Sequence, residues 1–316
     1  MEHYPAADFE PALSSLSHWL SPSGDLKERF TLGNGASEII DIVTRLSPKG
    51  PFKPGPSVID NISVQYMEYQ RSAEADGRSV IPYDSNEKEG ISAIINPCNP
   101  TGVFLEKESL KEHISKKHSE NSFVLVDESM LPWYGENWRE QSLIGEKQWI
   151  ENLLTEKGIS VWIIHSWTKI WCCPGIRLGS VVAPTKQHMV EFKKKQVPWS
   201  LNNVALAFAN EVVKDHSYMV KTWEVTKQWR QETIQRIATH LPTWKCYGQS
   251  WLSWIWIDTG DAMVAKKAEE LALAAGMPIR PGSKGYKMDK FIRIGVRKPE
   301  EQMQLLQSWE PLHHKT

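Results

Sequence analysis

The chain has 316 residues, 41% hydrophobic and 24% charged, with a formal net charge of −1. That length holds a large domain plus a smaller one, and the composition excludes a disordered chain. No basic block exceeds Lys193-Lys194-Lys195 and no apolar run approaches the ~20 residues of a membrane helix, so neither nucleic acid nor membrane is expected as a partner. The cysteines, Cys98, Cys172, Cys173 and Cys246, form no C-x-x-C pair. Free thiols are expected, with no metal site and no disulfide framework. The start, Met1-Glu2-His3-Tyr4-Pro5, has the character of neither a secretory signal nor a transit peptide, which gives a cytoplasmic expectation. The 15 tryptophans read as core or interface residues.

In chain order, residues 11–30 read as a helix and its connections. Leu32-Gly33-Asn34-Gly35-Ala36-Ser37-Glu38 then opens a second helix, with an apolar face of Ile39, Ile40, Ile42, Val43 and Leu46. Glycines before a helix start leave N–H groups free at the positive end of its dipole, which suits an anion. The plainer alternative is an ordinary helix start capped by Ser37. A short strand at 91–95 runs into Asn96-Pro97-Cys98-Asn99-Pro100-Thr101-Gly102. The two Asn-Pro pairs make this a rigid turn, placed at a strand's C-terminal end, where ligands bind in α/β sheets. A helix follows near 106–117.

The apolar strand at 122–126 ends in Asp127-Glu128. An acid there can cap a helix, sit in a solvated loop or face a cofactor nitrogen. The β-branched and aromatic run at 159–164 repeats the design and leads into His165-Ser166-Trp167-Thr168-Lys169. A lysine just past a buried strand end tends to have a lowered pKa, and a neutral amine can form a Schiff base with a carbonyl. Ser166, Thr168 and Arg177, the last held between Gly175 and Gly179, are groups that a phosphate needs nearby. Pyridoxal phosphate is the ligand that wants both an amine and a phosphate partner. The bland alternative is a surface lysine beside an unrelated arginine.

A further strand at 179–183 follows, and the texture changes after Pro198-Trp199-Ser200. Residues 201–240 read as helical, then come a strand at 251–257, a helix near 262–275, a strand at 291–296 and a helix near 299–309. Alternating strands and helices predict an α/β fold with a largely parallel sheet in residues 1–205, and a smaller α+β domain in 206–316. In Phe291-Ile292-Arg293-Ile294, Arg293 shares a face with Phe291, so it needs an anion, a solvent opening or a core acid. Arg280 lies on the rigid turn Pro278-Ile279-Arg280-Pro281-Gly282 and could face the same cleft.

Taken in order, the Gly33–Glu38 turn, Asn96–Gly102, Asp127, Ser166-x-x-Lys169, Arg177 and Arg293 resemble the fold-type I pyridoxal-phosphate enzymes of the aminotransferase class I/II group. Within it, Tyr66-x-Glu68-Tyr69-x-Arg71, Pro198-Trp199-Ser200-Leu201-Asn202 and Arg293-x-x-x-Arg297 look most like threonine-phosphate decarboxylases, and then histidinol-phosphate aminotransferases. The resemblance implies a three-layer large domain and pyridoxal 5′-phosphate held as a Schiff base by Lys169, which later moves protons at the substrate's α-carbon. It implies that Asp127 pairs with the ring nitrogen, Asn99 bonds the phenolic oxygen and Tyr66 stacks on the ring. Gly35, Ala36, Ser37, Ser166, Thr168 and Arg177 are the implied phosphate site. Arg293 is the implied grip on a substrate carboxylate, Asn99 adjoins the substrate, and Tyr4 is the implied contribution to the site of a second copy in a homodimer.

Two departures stand out. Met130 occupies a position that in the group is often a tyrosine donating to the phenolic oxygen. The chain also starts where relatives are some tens of residues in, so an N-terminal arm that covers the substrate is expected to be missing. The expected reaction is decarboxylation of an O-phospho amino acid such as L-threonine O-3-phosphate, with transamination as the alternative. A non-catalytic pyridoxal-phosphate-binding relative is the rival from another class.

Overall fold

A computed structural model describes residues 3–59 and 62–313. Eight strands precede residue 183: β1 (Phe30–Asn34), β2 (Phe52–Pro54), the short pair β3 (Val58–Ile59) and β4 (Ile62–Ser63), β5 (Ile91–Ile95), β6 (Phe123–Asp127), β7 (Ser160–Ser166) and β8 (Leu178–Val182). Six of them form one sheet in the order β1-β8-β7-β6-β5-β2. The four strands from β7 to β2 are parallel, and β8 is antiparallel to both its neighbours. Such strands are covered on both faces, so β5, β6 and β7 read as continuous apolar runs rather than alternating ones.

Their side chains still divide by face. Leu125, Trp162 and Ile164 meet α2 (Gly35–Leu46), α3 (Glu68–Ala75) and α6 (Lys186–Lys195) through Ile39, Val43, Ala73 and Phe192. Val124, Val126, Val161 and Ile163 meet α1 (Ala12–Leu20), α4 (Lys107–Lys117), α5 (Lys147–Lys157) and α7 (Asn203–Val212) through Leu16, Ile114, Leu153 and Leu206. The result is three layers, with helices on both sides of the sheet.

The second sheet is antiparallel, in the order β11-β12-β10-β9, from β9 (Lys245–Tyr247), β10 (Trp254–Asp258), β11 (Arg280–Pro281) and β12 (Phe291–Gly295). Here the alternation is visible. Ile255, Ile257, Ile292 and Ile294 share a core with α9 (Ala262–Ala274) and α11 (Pro299–Ser308). Trp256 and Phe291 stack on the other face, with ring centroids 5.0 Å apart, beside Tyr286 of the distorted turn α10 (Ser283–Tyr286). The 25-residue α8 (His216–His240) links the two bodies, with Met219 in the first core and Ile237 in the second. The division drawn at residue 205 runs through α7, whose buried Leu206 and Ala209 belong to the large core beside α1.

The sequence pattern misses β1, where it runs loop straight into helix. This strand is only five residues long and contains a glycine and an asparagine, both poor strand formers. Burial between α2 and β8 overrides that preference. The strand expected from 251 begins at Trp254, because Trp251 packs edge-on against Phe104 instead. Among the described residues no helix is long and apolar enough to cross a membrane.

Candidate active site

A cavity of about 730 Å³ lies between the C-terminal ends of β5, β6 and β7, the start of α2 and the second sheet. Lys169, Asp127, Asn99, Tyr66, Ala36, Ser37, Ser166, Arg177, Arg280 and Arg293 all line it. Gly35 and Thr168 adjoin the wall without lining it. Thr168 is buried with its hydroxyl 2.9 Å from that of Ser166. Tyr4 is elsewhere: 79% exposed, it packs on Trp199 with ring centroids 5.0 Å apart.

The start of α2 is built as an anion cradle. The Asn34 N–H donates to Glu38 Oε2 at 2.6 Å, so Asn34 is the N-cap and Ser37 lies inside the first turn. Ser37 is therefore not the cap, and its N–H is among those left free at the helix start. Gly35 has φ +73° and the Arg177 guanidinium fills the space where a Cβ would stand. Gly179 on β8 does the same for the backbone: a Cβ there would meet Ala36 N at 2.7 Å. Two glycines thus let a strand and an arginine close on the helix start. Free N–H groups, the helix dipole and a guanidinium converge there, as a phosphate requires.

Asp127 ends β6, buried, with both oxygens engaged. Tyr69 Oη donates to Oδ2 at 2.7 Å and Ser129 N donates to Oδ1 at 2.8 Å. Ser129 Oγ in turn accepts from Ser166 N at 2.7 Å, tying the ends of β6 and β7 together. Burial pushes the Tyr69 phenol well above its usual range, and the adjacent carboxylate pushes it further, so it stays a donor. Tyr69 and Ser129 are what reasoning from the sequence missed. Tyr69 stands in the Tyr66-x-Glu68-Tyr69 segment, but Tyr66 lies before α3 and no spacing signalled the bond to Asp127.

Lys169 follows β7 by one turn and reaches the open cleft. Burial of its amine by the cleft walls lowers its pKa; Asp127 opposes the shift, and Arg177 and Arg293 reinforce it. Across the cleft, Arg293 Nη1 donates to Asn99 Oδ1, bridging the two sheets. The alternative of a core acid for Arg293 fails: it makes no ion pair among the described residues. Burial lowers its pKa, with Tyr286 opposing and Arg280 reinforcing. Arg293 and Arg280 are in direct register between β12 and β11. Like charges so placed repel, and Arg297 lines the same space. Met130 also lines it and offers no donor.

A phosphate cradle, an amine of lowered pKa and a buried carboxylate at the strand ends of a mostly parallel sheet are what a pyridoxal-phosphate enzyme supplies to its cofactor. Residues 7–308 match the family model for aminotransferase class I and II, and the chain belongs to that family. It is similar to histidinol-phosphate aminotransferase 1 of Idiomarina loihiensis, 25% identical over 90% of this chain and 76% of that protein. It is also 25% identical to the threonine-phosphate decarboxylase of Salmonella typhimurium, over 71% of this chain and 60% of that one. Its fold matches the crystal structure of the histidinol-phosphate aminotransferase from Clostridium acetobutylicum with a TM-score of 0.79, at 23% identity, covering 100% of this chain and 92% of that one.

The protein is a pyridoxal-phosphate-dependent enzyme, and members of its family act on amino acids. The residues present fit the cofactor. The cradle suits a phosphate, Lys169 and Asp127 both face the cleft, and the cations of the wall outnumber its acids, Asp127 being the single carboxylate among the residues that line it.

Proposed function

We propose that this enzyme decarboxylates an O-phospho amino acid such as L-threonine O-3-phosphate. The observation that carries the reading is the register pair Arg280–Arg293, joined by Arg297 and facing no acid on the second sheet's side of the cleft. A substrate with both a carboxylate and a phosphate supplies the missing counter-charges, and the similarity to a decarboxylase of a phosphorylated amino acid supports the choice.

Bound in the cradle, pyridoxal phosphate supplies an aldehyde that captures amines and a ring that accepts electrons from the α-carbon. Lys169 would hold the cofactor covalently through its amine and would carry a proton at the substrate's α-carbon. Asp127 would pair with the ring nitrogen and keep it protonated, Asn99 would bond the phenolic oxygen and Tyr66 would cover the ring. Gly35, Ala36, Ser37, Ser166, Thr168 and Arg177 form the phosphate site, with Thr168 acting through Ser166. Arg293 orients the carboxylate and Arg280 takes the substrate's phosphate. That orientation selects the bond that breaks, so the same cleft can serve amino transfer if the carboxylate is held differently.

Tyr4, exposed and outside its own cleft, supports a homodimer in which it serves the second copy's site. We place the enzyme in the cytoplasm, with the cofactor domain drawn at residues 1–205 extended through α7 and the smaller domain following it. The experiment is to incubate the loaded enzyme with L-threonine O-3-phosphate and follow carbon dioxide and keto acid in parallel. Carbon dioxide without keto acid is expected, whereas keto acid alone would replace decarboxylation with transamination. Borohydride should fix the cofactor on the Lys169 peptide, and a label on another lysine would overturn the assignment of Lys169.

A further inference from the structure

β1 and β8 run antiparallel, and the cofactor cradle occupies only one end of the pair. Asn34 and Leu178 are partners at that end, and Phe30 and Val182 at the other, roughly 14 Å away at ~3.4 Å per residue. The far end opens into a second, polar cavity of about 270 Å³.

Its innermost lining residue is Arg29, 3% exposed. Nη1 donates to the carbonyls of Ala183 and Pro184 at 3.2 and 3.4 Å. Nε and Nη2 are buried and have no hydrogen-bond partner among the described residues. Those two N–H groups form the edge on which a guanidinium grips an oxyanion in a parallel fork; both are sealed from the cavity as the side chain stands, so an oxyanion engages them only as the guanidinium turns toward it. Burial lowers the pKa of Arg29, with Glu151 and Asp25 opposing from beyond ion-pair distance. A buried cation without a partner is a strong demand for an anion.

The rest of the cavity meets that demand. Lys147 and Lys186 are the first residues of α5 and α6, so two helices of 11 and 10 residues turn their positive ends to this space. Lys27 adds a third ammonium. Of the three acids in the lining, Glu28 is taken by Lys186 at 2.5 Å and Asp25 accepts from Ser23 Oγ at 2.7 Å. Glu151 is the internal competitor for Arg29, yet the two make no ion pair among the described residues.

We propose that this cavity binds a small tetrahedral oxyanion of the phosphate class, at a site separate from the cofactor cleft. The site joins the fork of Arg29 to two helix starts, with Lys27 and Lys147 at the rim.

The test uses the full-length, cofactor-loaded enzyme titrated with inorganic phosphate at constant ionic strength, so that general screening does not vary. Acetylation of individual lysines is followed by mass spectrometry. Phosphate should slow modification of Lys27 and Lys147 several-fold and leave the remote Lys214 unchanged. Phosphate held in the cleft does not shield these lysines, which lie at the opposite strand ends. Arg29→Gln should remove the protection. Because Arg29→Gln alters a buried side chain, the surface variant Lys27→Ala/Lys147→Ala is measured as well: phosphate should raise its unfolding temperature less than that of the unsubstituted enzyme. Unchanged acetylation at Lys27 and Lys147, protection that survives in Arg29→Gln, or equal phosphate-dependent shifts in the double variant and the unsubstituted enzyme would each overturn the site.

Discussion

The two walls of the cleft are built on opposite terms. On the large sheet the buried carboxylate and the strand-end hydroxyls already have partners within the protein. Asp127 is held by Tyr69 and Ser129, and Ser166 by Ser129 and Thr168. On the second sheet, Arg293 has a side-chain bond only to Asn99, and Arg280 and Arg297 have none among the described residues. The first wall is preorganised, as groups that must meet a cofactor in one geometry need to be. The second is electrostatically incomplete until an anion arrives. The contrast suggests that cofactor geometry is fixed by folding, and that substrate binding completes the charge balance of the other wall.

The largest effect that bears on this contrast is expected at Lys169. Lys169→Ala should abolish borohydride trapping and lower turnover by roughly 10²–10⁴-fold for its proton-transfer role alone. Stability of the cofactor-free protein should stay within about 0.5 kcal/mol, because the side chain ends in the open cleft and makes no hydrogen bond among the described residues. Trapping that persists in the variant would move the covalent site. Asp127→Asn comes next. It should retain cofactor and lose most turnover, since a neutral ring accepts electrons poorly. Near-normal rates would remove Asp127 from the chemistry and leave the Tyr69 and Ser129 bonds as scaffold only.

The large-sheet wall was the more legible in the sequence. Lys169, Asp127 and Asn99 follow apolar strands directly, and strand ends are where a parallel sheet places its ligands. The cradle's glycines were equally readable, because close backbone approach leaves no substitute for glycine. Ser129 and Tyr69 were not, since their role depends on which side chain a neighbouring strand or helix brings within 3 Å. Neither periodicity nor propensity encodes that. Arg293 was visible as a charge in an alternating strand, but its register with Arg280 comes from the pairing of β11 with β12, and β11 is only two residues long. β1 was hidden for a related reason: its stability comes from burial, not from its own residues.

The arginines give the next effect down. Arg280→Ala should weaken phosphorylated substrates selectively, by about 1.5–3 kcal/mol if one charged hydrogen bond is lost. Arg293→Lys keeps the charge and loses the fork, so it should weaken all amino-acid substrates while leaving cofactor affinity intact. Unliganded Arg280→Ala should be no less stable than the parent, because the substitution removes a like charge in register with Arg293. Equal losses for phosphorylated and unphosphorylated substrates would remove the phosphate role, and with it the main support for a phospho-amino-acid substrate.

The smallest expected effect is at Ser129, and it tests the preorganised wall directly. Ser129→Ala keeps the backbone N–H that bonds Asp127 Oδ1 and deletes the oxygen that accepts from Ser166 N. A neutral bond of this kind contributes about 0.5–1.5 kcal/mol, and its loss leaves a buried N–H unpaired at the end of β7. Urea unfolding of the cofactor-free variant should show that loss as a lower midpoint with an unchanged slope. Its sign is opposite to that expected, if any, from Arg280→Ala, which is the contrast between the walls in one pair of measurements. The Ser166 hydroxyl adjoins the phosphate cradle, so the variant should also bind cofactor more weakly by a similar amount. An unchanged midpoint together with unchanged cofactor affinity would mean that β6 and β7 keep their spacing without this bond, and that the wall's order comes from the sheet alone.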